Sequence, residues 1–301
     1  MKKTFAIVSM VLLFILSSCS QDPDGIQESS TKNVGRTETV ADLTYSLKEY
    51  DARFFIQDKG NGIAAPAHLP QITYSKRDMV KIALADVKGG LRGIGGGAAG
   101  VIVGAATSSL IKFGKMTVSK LLWASIKDNV LSPHIYHSND ECIYADSIGF
   151  YHNELEYAMY STDRESYKKS SAELVAEANA RMTLMSDGYT GDGGISLSLQ
   201  LSLASDIDKV KDVDDNLSYP EYCKRLKELN PEDSEYLDFC AEYIYTAVFA
   251  NLSNIDSYTD EVIYQIQHSN LDVQDRRTLY QGIQVAYASI LYSKNMEFHN
   301  Q

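Results

Sequence analysis

Residues 89–108 read GGLRGIGGGAAGVIVGAATS, and this run restricts the chain more than any other stretch. Glycine costs about 1 kcal/mol relative to alanine inside a helix, so propensity does not explain it. Its glycines fall on two interleaved four-residue ladders, Gly89, Gly93, Gly97 and Gly96, Gly100, Gly104, the second continued by Ser108. Residues four apart share one helical face, so each ladder makes a groove bare of side chains against which a second helix can lie closely. From Ile94 to Ile111 there is no charge. At 1.5 Å per residue that is roughly 27 Å of helix, close to the hydrocarbon thickness of a bilayer.

Three readings follow. The run is a buried hairpin or central helix with its small face against neighbours, a conditionally membrane-active or self-associating segment, or a permanent span. Burial is favoured, because alanine and glycine leave the run only marginally hydrophobic. The expected partner is the 116–130 segment or the C-terminal helices.

The N-terminus, MKKTFAIVSMVLLFILSSCSQDPDG, has a basic start at Lys2 and Lys3 and an uncharged apolar stretch from Phe5 to Leu16. That is the pattern of a secretory signal and is too short for a spanning helix. Leu16-Ser17-Ser18-Cys19 resembles the lipobox of bacterial lipoproteins. The resemblance implies that residues 1–18 are removed, that Cys19 carries a diacylglycerol, and that the acyl chains hold the protein on a membrane. Asp22 and Asp24 soon after the cysteine are similar to the acidic stretch of Bacteroidetes surface lipoproteins, which implies the outer membrane and leaves its inner and outer faces open. Residues 19–39 are polar and read as a tether.

Removing residues 1–18 takes away two lysines and no acid, so the net charge of −12 becomes −14. Such a chain does not bind nucleic acid and is repelled by anionic headgroups. With 44% hydrophobic residues and 20 tyrosines, the remainder is globular. Beyond Cys19 there are Cys142, Cys223 and Cys240, and no CxxC. One pair at most can bridge, and Cys223 with Cys240 on facing helices is the candidate.

Helical punctuation dominates the mature chain, predicting a mainly α protein: a helical bundle with a glycine-rich central helix or hairpin. Helices are expected near 76–88, 116–130, 153–160, 163–186, 219–229, 232–250, 260–267 and 273–294. Ser75 with Asp78, Thr162 with Glu165, and Ser218 with Glu221 read as capping boxes. Ile195–Leu203 alternates apolar and polar residues, as a half-buried strand does, yet leucine favours helix. A short strand at 195–203 is therefore the alternative to helix there. The organisation expected is an N-terminal helical region at 40–190 containing the glycine run, then a C-terminal helical bundle at 191–301.

Asp86-Val-Lys-Gly-Gly, the glycine ladder, and then Gly149-Phe-Tyr-His-Asn-Glu-Leu155 are together similar to uncharacterised Bacteroidetes proteins with a bacteriocin-like small-residue run followed by a GxxHNxxL helix start. The resemblance covers about residues 84–155 and implies a lineage, not an activity.

No residue set assembles a catalytic or metal signature. His134 and His137, near Asp140, Glu141 and Cys142, lack the i, i+4 spacing and interior Glu of HExxH. His152 and Asn153 read as a helix start, Asn153 capping and His152 bonding backbone, ahead of a Cys142–His152 catalytic pair. Asp187–Gly194 reads as a turn. No cofactor motif occurs, and Gly93-Ile-Gly95 has neither the strand nor the acidic partner of a dinucleotide site. The tyrosines of the last sixty residues read as inter-helix contacts, with a groove for protein or glycan as the alternative. The expected function is a non-enzymatic interaction or scaffold lipoprotein with a protein partner or self-association; the alternative is a membrane-active, toxin-like protein.

Overall fold

The computed structural model describes residues 38–57, 75–119, 122–126, 147–163, 165–185, 194–250, 252, 254–294 and 296–300. The protein is mainly α. In chain order the helices are α1 (Val40–Gln57), α2 (Lys76–Gly93), α3 (Gly97–Ser119), α4 (Ile148–Thr162), α5 (Ser171–Met185), α6 (Leu197–Lys211), α7 (Tyr219–Leu229), α8 (Ser234–Phe249), α9 (Ile255–His268) and α10 (Val273–Lys294). A two-stranded antiparallel ladder joins β1 (Leu122–Ile126) to β2 (Met296–Asn300), with Leu122 opposite Asn300 and Ile126 opposite Met296.

The glycine run is the bend and inner face of a helical hairpin. Helix α2 ends at Gly93, a single 3₁₀ turn covers Ile94–Gly96, and Gly97, the first residue of α3, adopts φ +62°. Such a conformation strains any residue with a Cβ, which is why the reversal falls on glycine. The two helices then run back against each other at backbone distance. A Cβ on Gly93 would collide with the Gly100 carbonyl, and one on Gly100 with that of Gly93. Gly89 and Gly104 stand in the same reciprocal relation one turn further along. The partner of the glycine face is thus the run itself, rather than the 116–130 segment or the C-terminal helices. Gly96 meets Leu199 and Ile195 from α6 and its approach, while Gly97 has open space around it.

The other elements wrap the hairpin. Helix α10 lies along α2, and α4, α5 and α6 cover α3. Helices α7 and α8 close the flank of α2, α1 packs on α8, and α9 on α10. The core is one continuous cluster crossing residue 190. Val101, Ile102 and Val103 belong to it, as do Val285, Ala286 and Ile290. Within Lys76–Met116 one window of 18 residues is apolar enough to cross a membrane, with mean hydropathy 1.6, and 72% of that window is buried inside the fold.

Several starts occur where the sequence places them. Ser75 with Asp78 and Ser218 with Glu221 form complete capping boxes, and Asp272 accepts from the Asp275 amide at the start of α10. Others differ. Residues 122–126 are strand and α3 stops at Ser119, because the segment pairs with a C-terminal strand that no local pattern announces. Residues 197–203 are helix, with Ser196 capping the Leu199 amide. Leu203 is buried there while Leu197 and Leu201 face outward. Thr162 lies at the end of α4 rather than opening the next helix. The working box is Ser170 with Glu173, and a 3₁₀ turn (Ser166–Lys168) precedes it, placing Tyr167 against Gly114. Cys223 and Cys240 are buried free thiols, not a disulfide.

Candidate functional site

Two places stand apart from ordinary packing: a sealed cluster of ionisable groups beside the hairpin, and an open groove between α1 and α9. The cluster draws on every helix that meets at the centre. Asp86 comes from α2, Ser109 from α3, His152 and Glu156 from successive turns of α4, and Ser289 from α10. Gly149 makes this convergence possible, since its Cα side lies against the Gln284 carbonyl and Ala288 Cβ of α10, each 3.0 Å from where a Cβ would stand. Asn153 then donates its amide to the Ala288 carbonyl at 3.4 Å. The His152 Nδ1 is 2.9 Å from Asn153 Oδ1, so Nδ1 carries the hydrogen and Nε2 faces Asp86 Oδ2 at 3.6 Å.

His152 and Asn153 are therefore inside α4, which begins five residues before Asn153, and neither is a cap. The N-terminal turn is Ile148–Tyr151, and the HN pair serves tertiary contact. The Asp86 and GxxHN segments, separated in sequence by the whole glycine run, meet directly, the His152 ring facing the Asp86 carboxyl.

Asp86, His152 and Glu156 are all sealed from solvent. Burial pushes the Asp86 carboxyl above its usual range, with His152, Ser289 and Ser109 opposing. Burial raises Glu156 to about 8, His152 opposing and the Asp86 charge reinforcing. For His152 burial alone lowers the pKa, but Asp86 and Glu156 outweigh it and hold the imidazole above its ordinary value. The hydroxyls of Ser109 and Ser289 approach the cluster without completing hydrogen-bond geometry. Burial thus favours the protonated carboxyls of Asp86 and Glu156, and among the described residues the side chains of Asp86, His152 and Glu156 are all closed off from solvent.

The other charges of the hairpin from Lys81 to Lys115 are also paired with surrounding elements. Lys88 Nζ meets Asp233 Oδ2 at 2.6 Å. Arg92 reaches Asp206 at 2.8 Å and Glu232 at 2.7 Å. Lys81 donates to the Asp215 carbonyl, Lys112 pairs with the Asp215 carboxylate, and Lys115 donates to the Lys211 carbonyl. Both Lys81 and Lys112 also lie over the Tyr222 ring.

The open groove has a cavity volume of about 400 Å³. Tyr264, 55% exposed, stacks on His268 with ring centroids 3.9 Å apart, and Tyr50, Arg53, Glu49 and Gln265 line it. Behind it Asp51 on α1 accepts from Thr246 of α8 at 2.9 Å and Tyr258 of α9 at 3.0 Å. Burial lifts Asp51 to about 7 against the lowering effect of those hydroxyls.

Of the sequence-derived site residues, Gly89, Gly93, Gly100 and Gly104 form the hairpin interface, and Gly96 and Gly97 its bend. Cys19, His134, His137, Asp140, Glu141 and Cys142 lie outside the described residues, as does Asp187–Gly194 apart from Gly194. Among the described residues no three His, Cys, Asp or Glu side chains are arranged to hold a metal ion. Tyr243, Tyr258, Tyr280, Tyr287 and Tyr292 are buried, as inter-helix contacts, while Tyr245 and Tyr264 are exposed. The residues that sequence reading missed are Glu156, Ser109, Ser289 and Asp51. The helical phase of Val40, Leu43 and Leu47 was available as a signal for α1, which carries Asp51. No protein-family profile, curated protein or solved structure matches this chain.

Proposed function

We propose that this chain is a lipid-anchored protein of the outer membrane whose helical domain is a non-enzymatic binding module. The observation that supports it over a membrane-active toxin is the pairing of the hairpin. All six charged residues from Lys81 to Lys115 have partners on the surrounding elements or at the core, so inserting the hairpin into lipid would strip each of its partner. An unpaired charge at mid-bilayer costs at least about 2.5 kcal/mol on the most lenient scale. The glycine face is likewise already occupied by backbone and has nothing to offer a second chain without unfolding. The anchor rests on Leu16-Ser17-Ser18-Cys19.

The test is cell fractionation of wild type and Cys19→Ala, paired with a liposome-leakage assay on the purified mature chain. The reading expects Cys19→Ala to move to the soluble fraction and the mature chain to leave vesicles intact. Retention of Cys19→Ala in the membrane overturns the anchor, and leakage by the folded wild type restores the toxin reading.

A further inference from the structure

The α1–α9 groove carries a chemistry distinct from the packed interior. Its volume, about 400 Å³, falls within the roughly 300–1,000 Å³ of small-ligand clefts. One rim is a stacked ring pair, Tyr264 and His268, one helical turn apart on α9, with centroids 3.9 Å and planes 27° apart, so that His268 backs one face of the 55% exposed Tyr264. His268 is fixed there because its Nδ1 lies 2.8 Å from the Tyr264 carbonyl oxygen and so must carry the hydrogen. The opposite rim is Tyr50, backed by Phe54 and Tyr258, with the Arg53 guanidinium 5.8 Å above its ring. Between them Glu49, Gln265 and Ser46 supply carboxylate, amide and hydroxyl groups. Leu43 is the single aliphatic lining residue among the described ones, and it is buried.

We infer that this groove binds a neutral saccharide, one sugar ring lying on the outer face of Tyr264, which His268 backs, with its hydroxyls held by Glu49, Arg53 and Gln265. An exposed aromatic face attracts the polarised C–H edge of a pyranose through its negative quadrupole, while planar side chains bond paired hydroxyls. The near absence of aliphatic lining disfavours an apolar peptide, whose affinity needs a desolvated hydrophobic centre. Charge excludes the anionic alternatives: Glu38 and Glu49 outnumber Arg53 in the lining, in a chain of net charge −12. This assignment rests on the binding-module reading and gives that module a ligand class.

Titration calorimetry of the full mature chain against cellotetraose, chitotetraose, maltotetraose, xylotetraose and mannotetraose tests it. At least one is expected to bind, and Tyr264→Ala to weaken that binding about tenfold or more, as a lost stacking contact of roughly 1.4 kcal/mol does. Gln265→Ala on the same side is expected to weaken it less. Tyr264 is exposed, so unchanged circular dichroism of the variant is expected and separates lost binding from lost fold. Absence of binding by every saccharide up to about 10 mM overturns the inference. So does binding that survives Tyr264→Ala and His268→Ala unchanged. Either result leaves the anchored binding module standing if intact cells still yield a protein captured through another face, whereas loss of the anchor in the fractionation test removes the broader reading alone.

Discussion

Gly93 and Gly100 touch through their backbones: each sits where the other's carbonyl oxygen leaves no room for a methyl group. This pair sets the spacing of α2 and α3, and Gly89 with Gly104 repeats it. Overpacking a core costs about 1–3 kcal/mol, and a clash against backbone, which cannot rotate away, lies at or above the upper end. Gly100→Leu is therefore expected to lower the melting temperature of the mature chain by several degrees at least. Thermal denaturation followed by circular dichroism reads this directly, and an unchanged midpoint would contradict the close contact.

The Lys88–Asp233 pair gives a second expectation. Lys88 is fully buried, and removing one member of a buried pair costs about 3–5 kcal/mol because the other charge is left alone. Lys88→Met should be destabilised by that order in urea unfolding. Lys88→Met combined with Asp233→Leu should recover much of the loss, since the stranded carboxylate is gone. A double variant no more stable than Lys88→Met would show that Asp233 is held by Arg92, 3.7 Å away, rather than by Lys88.

Stability should fall as pH rises through neutrality. Glu156 titrates at about 8 in the folded chain against 4.5 unfolded, and Asp86 and His152 are displaced upward too. Between those values the native state holds protons that the unfolded chain releases, so each raised group subtracts up to about 1.4 kcal/mol per pH unit. The contribution is complete below about pH 4.5 and lost above about pH 8. Urea midpoints at pH 5.5, 7 and 8.5 should decline in that order, and Glu156→Gln should flatten the slope. A wild-type profile that is level across this range would refute the proton-storing cluster. On the acid side Asp206, held low by Lys209 and Arg92 despite burial, contributes stability that is lost as pH falls through its folded pKa.

Asp51 should behave alike at a different place. Its carboxyl moves from 3.8 to about 7, so wild type loses stability between about pH 4 and 7 as this group ionises behind the groove. Asp51→Asn removes that loss while keeping polar contact with Thr246 and Tyr258. The variant is expected to gain on wild type between pH 5 and pH 8 in thermal melts; a constant offset at both would mean that Asp51 is charged throughout.

Much of the helical frame is legible in local chemistry. Ser75 with Asp78 and Ser218 with Glu221 mark true starts because a capping box is satisfied entirely within four residues. Close packing of the glycine ladders is legible too, since absent side chains have few other uses in a core. Their partner is not, because two facing ladders need the reversal at Gly97, and a turn conformation is invisible in composition. The choice between Thr162-x-x-Glu165 and Ser170-x-x-Glu173 is also beyond local reading. Both fit the pattern, and what decides is Tyr167 seated against Gly114 on a distant helix. Likewise His152 and Asn153 have the look of a cap, and only the approach of Asp86 and Ala288 shows why they lie inside a helix. The β1–β2 ladder joins an interior segment, Leu122–Ile126, to the C-terminal Met296–Asn300, a pairing set by tertiary geometry alone.

The reciprocal glycine contacts also imply an order of events during folding. Gly93 and Gly100 are joined by one short bend, so bringing them together closes a small loop at low entropic cost. Pairing Lys88 with Asp233 or Asp86 with His152 closes far longer loops, and such distant contacts form slowly. The hairpin is thus the natural nucleus, and the helices that later cover it assemble on a template whose charged groups already mark where each must dock.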